Sequence, residues 1–230
     1  MRKMLDLDTS LTNYANPVKP KIPANIRNMP KLRAGPFRIL HSVKTRPEKR
    51  KKSTYKGFLE NKSMYTSSRD ATVLVLHERT DTISVNLKFE TTVTNTENTA
   101  FSRMLTGTEK SETSSSYECK GMDIYLPGDS SPWRLILSQW DTVPGNNVDG
   151  YGDLIRGGDT IQVHYATGFK SHEKLWRGYP TGLILKRNER QIAAFQFRYK
   201  KYIWISSREE KRIQQLLGSF ILVYLSMNEQ

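Results

Sequence analysis

Three stretches of this chain alternate apolar residues and run into a histidine: FRILH from Phe37 to His41, TVLVLH from Thr72 to His77, and DTIQVH from Asp159 to His164. Alternation of this kind gives a strand one buried face and one wet face. Two further segments share it and end in turn residues, MDIYLPGDS from Met122 and YKKYIWIS from Tyr199. Short strands recurring in one chain favour an all-β fold built from repeats over a doubly wound α/β enzyme.

The strands are set among clear punctuation. Pro17, Pro20, Pro23 and Pro30 block a helix near the start, so residues 1–34 read as an irregular, partly disordered lead-in. TRPEKRKKSTYKG follows the first strand and carries five consecutive charges from Glu48 to Lys52. It reads as a loop or short basic arm that can bind phosphate or serve as a nuclear signal, with an ordinary solvated surface as the bland alternative. A hairpin turn is expected between Arg79 and Asp81, before TISVNLKFETTV. The segment from Thr94 to Glu118 is rich in Ser, Thr, Glu and Asn and reads as a flexible surface loop. Asp141 to Asp153 is dense in turn residues, and GLILKRN is a weaker strand. SREEKRIQQLLGSF is the best helix candidate, capped by Ser206 or Ser207, with Glu209 and Glu210 in its first turn and Gly218 ending it. The apolar LLGSFILVYL, Leu216 to Leu225, is much shorter than the ~20 residues of a membrane span and reads as a buried strand.

The charge is unevenly placed. Residues 1–70 hold 17 Lys/Arg against 5 Asp/Glu, residues 71–168 hold 7 against 13, and residues 169–230 hold 12 against 5. A basic arm and a basic end around an acidic middle suit a polyanionic partner or a phosphorylated ligand. The single cysteine, Cys119, excludes an intrachain disulfide and favours a reducing compartment. No signal peptide is expected from MRKMLDLDTSLTN.

No catalytic constellation is legible. His41, His77, His164 and His172 match no zinc spacing, three of them are expected at equivalent structural positions, and no nucleotide-binding or nucleophile motif is present. The chain reads as a non-enzyme without a cofactor or metal. Trp133, Trp140, Phe195, Phe197 and Trp204 are the expected aromatic core or rim.

WRLILSQWDTVPGNNVDGYGDLIRGGDTIQVHYATG, Trp133 to Gly168, resembles the amino-terminal MIR-type β-trefoil region of inositol trisphosphate and ryanodine receptors. Its Trp-led strand, variable turn and Gly157-Gly158-Asp159 turn carry the likeness. ATVLVLHERTDTISVN (Ala71 to Asn86) and PKLRAGPFRILHSVKTRPEKRKKSTYKG (Pro30 to Gly57) are similar to earlier parts of that region. The resemblance implies a β-trefoil over residues 35–205, followed by a C-terminal helix and apolar strand over 206–230. It implies a cytosolic regulatory module of a calcium-release channel at the endoplasmic reticulum face, docking on neighbouring channel domains or subunits. It also implies an inositol phosphate ligand. The ligand residues expected are Lys170, His172, Lys174, Arg177, Thr181, Gly182, Lys186 and Arg187, around a Gly-bearing turn suited to phosphate. MIR repeats also accompany secretory mannosyltransferases, an enzymatic class that the lack of a leader argues against. The alternative is a nucleic-acid- or membrane-associating protein of viral matrix or accessory type. It would use a polyanion-binding arm of Lys49, Arg50, Lys51, Lys52 and Lys56, and its binding would be salt-sensitive.

Overall fold

Alternating strands separated by tight turns pair most simply with their sequence neighbours, and the chain does this almost throughout. The computed structural model describes residues 5, 7–23, 32–44, 48–78, 80–107, 111–137, 151–166, 181–197 and 200–228. The elements are α1 (Thr9–Thr12), β1 (Arg33–Ala34), β2 (Phe37–Lys44), β3 (Glu48–Lys56), β4 (Glu60–His77), β5 (Asp81–Asn98) and α2 (Ala100–Thr106). There follow β6 (Ser111–Tyr125), β7 (Trp133–Leu137), β8 (Tyr151–Arg156), β9 (Asp159–Ala166), β10 (Gly182–Arg187), β11 (Arg190–Gln196), β12 (Tyr202–Ile205) and α3 (Lys211–Asn228). The sheet runs β1-β2-β4-β5-β6-β7-β8-β9-β10-β11-β12, with β3 off this path against β4.

That order corrects the trefoil. A trefoil folds three four-strand units about a threefold axis, whereas from β4 onward each strand here lies beside the next in sequence. The result is an antiparallel meander that curls into a nearly closed barrel. Hairpin chemistry sets the register. Gly157, at φ +59°, opens the two-residue turn between Arg156 and Asp159. Asn188 and Glu189 both take positive φ in the turn from β10 to β11, the backbone that matches strand twist in a two-residue hairpin.

The chain forms two compact units. The first comprises residues 1–42, 72–86 and 122–230; the second comprises 43–71 and 87–121.

In the first unit the meander ends at β12 and begins at β1, and the N-terminal segment spans the two. Val18 exchanges backbone hydrogen bonds of 2.8 and 2.9 Å with Ile203 of β12. Lys21 pairs with Arg33 of β1 at 2.8 and 3.3 Å. The segment expected to be an irregular lead-in therefore closes the barrel. It is fastened further by α1, whose N-cap Asp8 accepts from the Leu11 N–H, and by buried Leu5, Leu11 and Ala15 against Ala194 and Trp204. The Gln196 and Gln191 side-chain oxygens accept from the backbone N–H of Leu5 and Asp8. These two glutamines supply partners that an extended segment lacks on its own.

Helix α3 fills the barrel. Leu216, Leu217, Phe220, Ile221, Leu222, Val223 and Leu225 are all buried, and at 100° per residue they cover the whole helix circumference. A helix apolar all round must be enclosed on every side. Its partners come from around the wall. A Cβ at Gly218 would overlap the Phe37 ring of β2. Gln215 donates to Asp81 of β5. The Tyr224 hydroxyl meets that of Tyr165 of β9 at 2.9 Å, and the Tyr224 ring meets Phe195 of β11. Burial raises the Tyr165 hydroxyl above its ordinary pKa of 10.0. Gly218, expected to end the helix before a buried strand, instead stays helical, because only a residue without Cβ lets the helix pass Phe37. No helix among the described residues is long and apolar enough to cross a membrane.

In the second unit, β3, residues 60–71 of β4, residues 87–98 of β5, α2 and residues 111–121 of β6 are strand and helix. The polar segment from Thr94 to Glu118, expected to be a loop, belongs where it is described to β5, α2 and β6, apart from the helix caps Thr99 and Gly107. Ser and Thr here follow the strand pairing rather than forming local turns.

Candidate functional site

The residues expected to hold phosphate do not form a ligand turn where they are described. Lys170, His172, Lys174 and Arg177 lie outside the described residues, as do Trp140 and most of the turn from Asp141. Thr181 is fully buried. Its N–H and hydroxyl both donate to the Ala166 carbonyl, at 2.7 and 2.8 Å. Gly182 opens β10, where a Cβ would press on the Phe195 carbonyl and on Leu5. These two residues are barrel wall. Arg187 is neutralised by Asp159 at 3.2 Å and by Glu209 at 3.7 Å. Lys186 is half-buried in β10, opposite Gln162 and Gln191.

The three strand-end histidines are not equivalent either. His41 is exposed inside β2 and His164 is half-buried in β9. His77 is buried against the Phe37 ring. Its Nδ1 lies 3.3 Å from the Gln215 amide and 3.7 Å from Asp81. Glu78 beside it pairs with Lys211 at 2.9 Å. That contact holds the Glu78 carboxyl below its ordinary pKa of 4.5 and raises Lys211 above 10.5. A cleft of about 200 Å³ opens here, lined among others by Val18, Phe37, His77, Glu78, Ile203 and Gly218. Among the described residues no Ser, Cys or Thr lines it. The polar groups act as a latch on the start of α3. Two buried carboxylates extend the latch: Asp129 binds Arg156 at 2.7 Å and also Arg212, and Glu209 binds Arg190 at 2.8 Å. No group of His, Cys, Asp and Glu among the described residues could hold a metal.

The second unit brings together exposed cations and exposed apolar groups. Lys49, Arg50, Lys51, Lys52 and Lys56 all lie on β3, which is a strand and not the expected loop. β3 pairs with β4 from Lys51↔Thr66 to Lys56↔Asn61. Lys52 and Lys56 are exposed, and Lys52 Nζ sits 5.5 Å from the Tyr65 ring centre. Residues 43–71 hold nine Lys/Arg against three Asp/Glu, while residues 87–121 hold four against five. The positive charge is thus concentrated on the β3–β4 hairpin.

The hairpin turn, Gly57 to Leu59, is held by α2. The Thr99 hydroxyl donates to the Phe58 carbonyl at 2.7 Å, and its N–H donates to that of Leu59 at 3.0 Å. Thr99 is also the N-cap of α2, accepting from the Ser102 N–H. Gly107, at φ +66°, ends the helix. Within α2 the buried residue is Ser102, while Met104 is 77% exposed and Leu105 62%. Phe58 is 72% exposed, and its ring centre lies 4.3 Å from that of Phe101. Phe58, Leu59, Phe101, Met104 and Leu105 form one apolar tip. Sequence reasoning missed it because the polar stretch around it hid a short signal: Thr99 as a cap and apolar residues at 101, 104 and 105, one helical face.

Comparison with family models, curated proteins and solved structures finds no match for this chain.

Proposed function

We propose that the chain binds phosphate-rich polyanionic surfaces through β3. The observation that carries this reading is the placing of five cations on one nine-residue strand, of which Lys52 and Lys56 are exposed. A strand rises about 3.3 Å per residue and alternates its side chains between two faces, so Lys52 and Lys56, four residues apart, share one face about 13 Å from each other. Lysines also protect an unpaired strand edge from aggregation, and β3 has a single neighbour, β4, among the described residues. The two roles separate on charge reversal, because Lys52→Glu with Lys56→Glu keeps the edge charged and inverts its sign. The inositol phosphate reading is not carried forward: Thr181 and Gly182 belong to the barrel wall and Arg187 is already paired.

The test is the salt dependence of binding to a short single-stranded oligonucleotide. The parent chain is expected to bind, with affinity falling linearly in log–log salt plots. The double variant is expected to bind more weakly, with a slope shallower by about 1.4, or about 0.7 for each phosphate that is no longer neutralised. Equal affinity and slope for parent and variant would remove β3 from the interaction.

A further inference from the structure

We infer that the polyanion is an anionic lipid bilayer and that the apolar tip enters its interfacial layer while β3 lies against the head groups. The inference rests on the reading of β3 as the polyanion contact. Short helices in water bury their apolar side chains; α2 buries Ser102 and leaves Phe101, Met104 and Leu105 outward. A contiguous exposed apolar patch ringed by polar groups marks an interaction surface. Three features select lipid as the occupant. First, the tip carries no acid. Gly57 to Leu59 and Ala100 to Thr106 contain one charged residue, Arg103, and Glu60, next to the turn in the chain, is taken by Lys62 at 2.6 Å. Second, the cations flank it. Lys56 adjoins the turn, and Lys52 lies four residues further along β3, so charge and apolar surface can engage one membrane together. Third, the patch suits lipid better than nucleic acid. Bases stack on aromatic faces, and three of its five apolar residues, Leu59, Met104 and Leu105, have no ring; the other two, Phe58 and Phe101, pack on each other at a tilt of 46°.

The experiment uses the full chain with phosphatidylcholine vesicles, with and without phosphatidylserine, and the oligonucleotide in parallel. Phe58→Ser with Met104→Ser removes the apolar groups and leaves every cation. The parent chain is expected to sediment with the phosphatidylserine vesicles and much less with neutral ones. The apolar double variant is expected to lose about tenfold or more in vesicle affinity while keeping its oligonucleotide affinity and its circular dichroism. An environment-sensitive dye on Met104→Cys, in a Cys119→Ser background, is expected to shift to the blue only with anionic vesicles.

Vesicle binding unchanged in the apolar variant, or no dye shift, overturns insertion. Oligonucleotide binding without vesicle binding overturns the lipid assignment and leaves the β3 reading standing. Binding to neither defeats both. A concentration-dependent dimer that Phe58→Ser and Met104→Ser dissolve, without vesicle binding, assigns the patch to a second copy of the chain and overturns the inference.

Discussion

The two longer helices, α3 of the barrel and α2 of the hairpin unit, use apolar residues in opposite ways. Beyond its exposed first turn at Lys211 and Arg212, α3 is enclosed on every side from Gln215 to Val223, with Phe220 buried among ring neighbours such as Tyr224. α2 is apolar on one face and turns much of that face to water, with the Phe101 ring against that of exposed Phe58. The chain thus holds two phenylalanines on two helices whose environments assign one to stability and the other to contact with something outside. Apolar character therefore locates a core only once the surrounding wall is known.

Truncating each of the two side chains tests this contrast most directly. Phe220→Ala is expected to destabilise by about 3–5 kcal/mol, because the enclosed site cannot collapse around the void. Phe101→Ala is expected to stay within about 0.5 kcal/mol of the parent. Denaturant titrations of the two variants measure it, and similar destabilisation of both would erase the distinction drawn between the helices. Next in size is the seam. Leu11→Ala is expected to cost about 2–4 kcal/mol, since Leu11 is wholly buried among the residues that close the barrel. A cost below about 0.5 kcal/mol would show that the N-terminal segment decorates the barrel rather than completing it.

The latch at the start of α3 comes third. Glu209 is buried but its partners Arg187 and Arg190 keep access to water, so Glu209→Gln is expected to cost about 2 kcal/mol, below the range for a wholly enclosed pair. Thermal unfolding of the variant at neutral pH reads this directly. The smallest effect is the exposed Glu78–Lys211 pair. The Glu78 carboxyl is lowered in the folded chain, so its contribution is present above about its ordinary value of 4.5 and is lost as the pH falls through its folded value. Lys211 is raised, so its contribution is present below 10.5 and is lost as the pH rises through its folded value. Both are intact at neutral pH. Glu78→Gln should therefore show a shallower fall in melting temperature at the acid end than the parent, with the two curves parallel around neutral pH. Identical slopes in acid would mean the pair adds nothing to folding.

Much of the local structure was legible in the residues. Phe37 and Ile39 in β2, Val73 and Val75 in β4, and Ile161 and Val163 in β9 are buried as their alternation demands. Trp133, Phe195 and Trp204 are core. The turn at Gly157 falls where it was expected, whereas Asn188, read as the end of a strand, is in the turn from β10 to β11. The cationic run was visible too, although it forms a strand rather than a loop, because residues 61–66 of β4 offer it a pairing partner.

What sequence fixes here is the face each strand buries, through side-chain period and turn chemistry, both set by residues only a few positions apart. What it does not fix is which strand lies beside which, since the same alternation serves a trefoil, a sandwich or a barrel equally well. The barrel was decided by interactions between residues far apart in the chain: Leu5 with Gln196, Val18 with Ile203, Gly218 with Phe37. The same distance kept the run from Leu216 to Leu225 ambiguous. An apolar decapeptide is equally suited to a buried strand or a buried helix, and only the cavity enclosed by the wall, wide enough for a helix past Gly218, made it the latter.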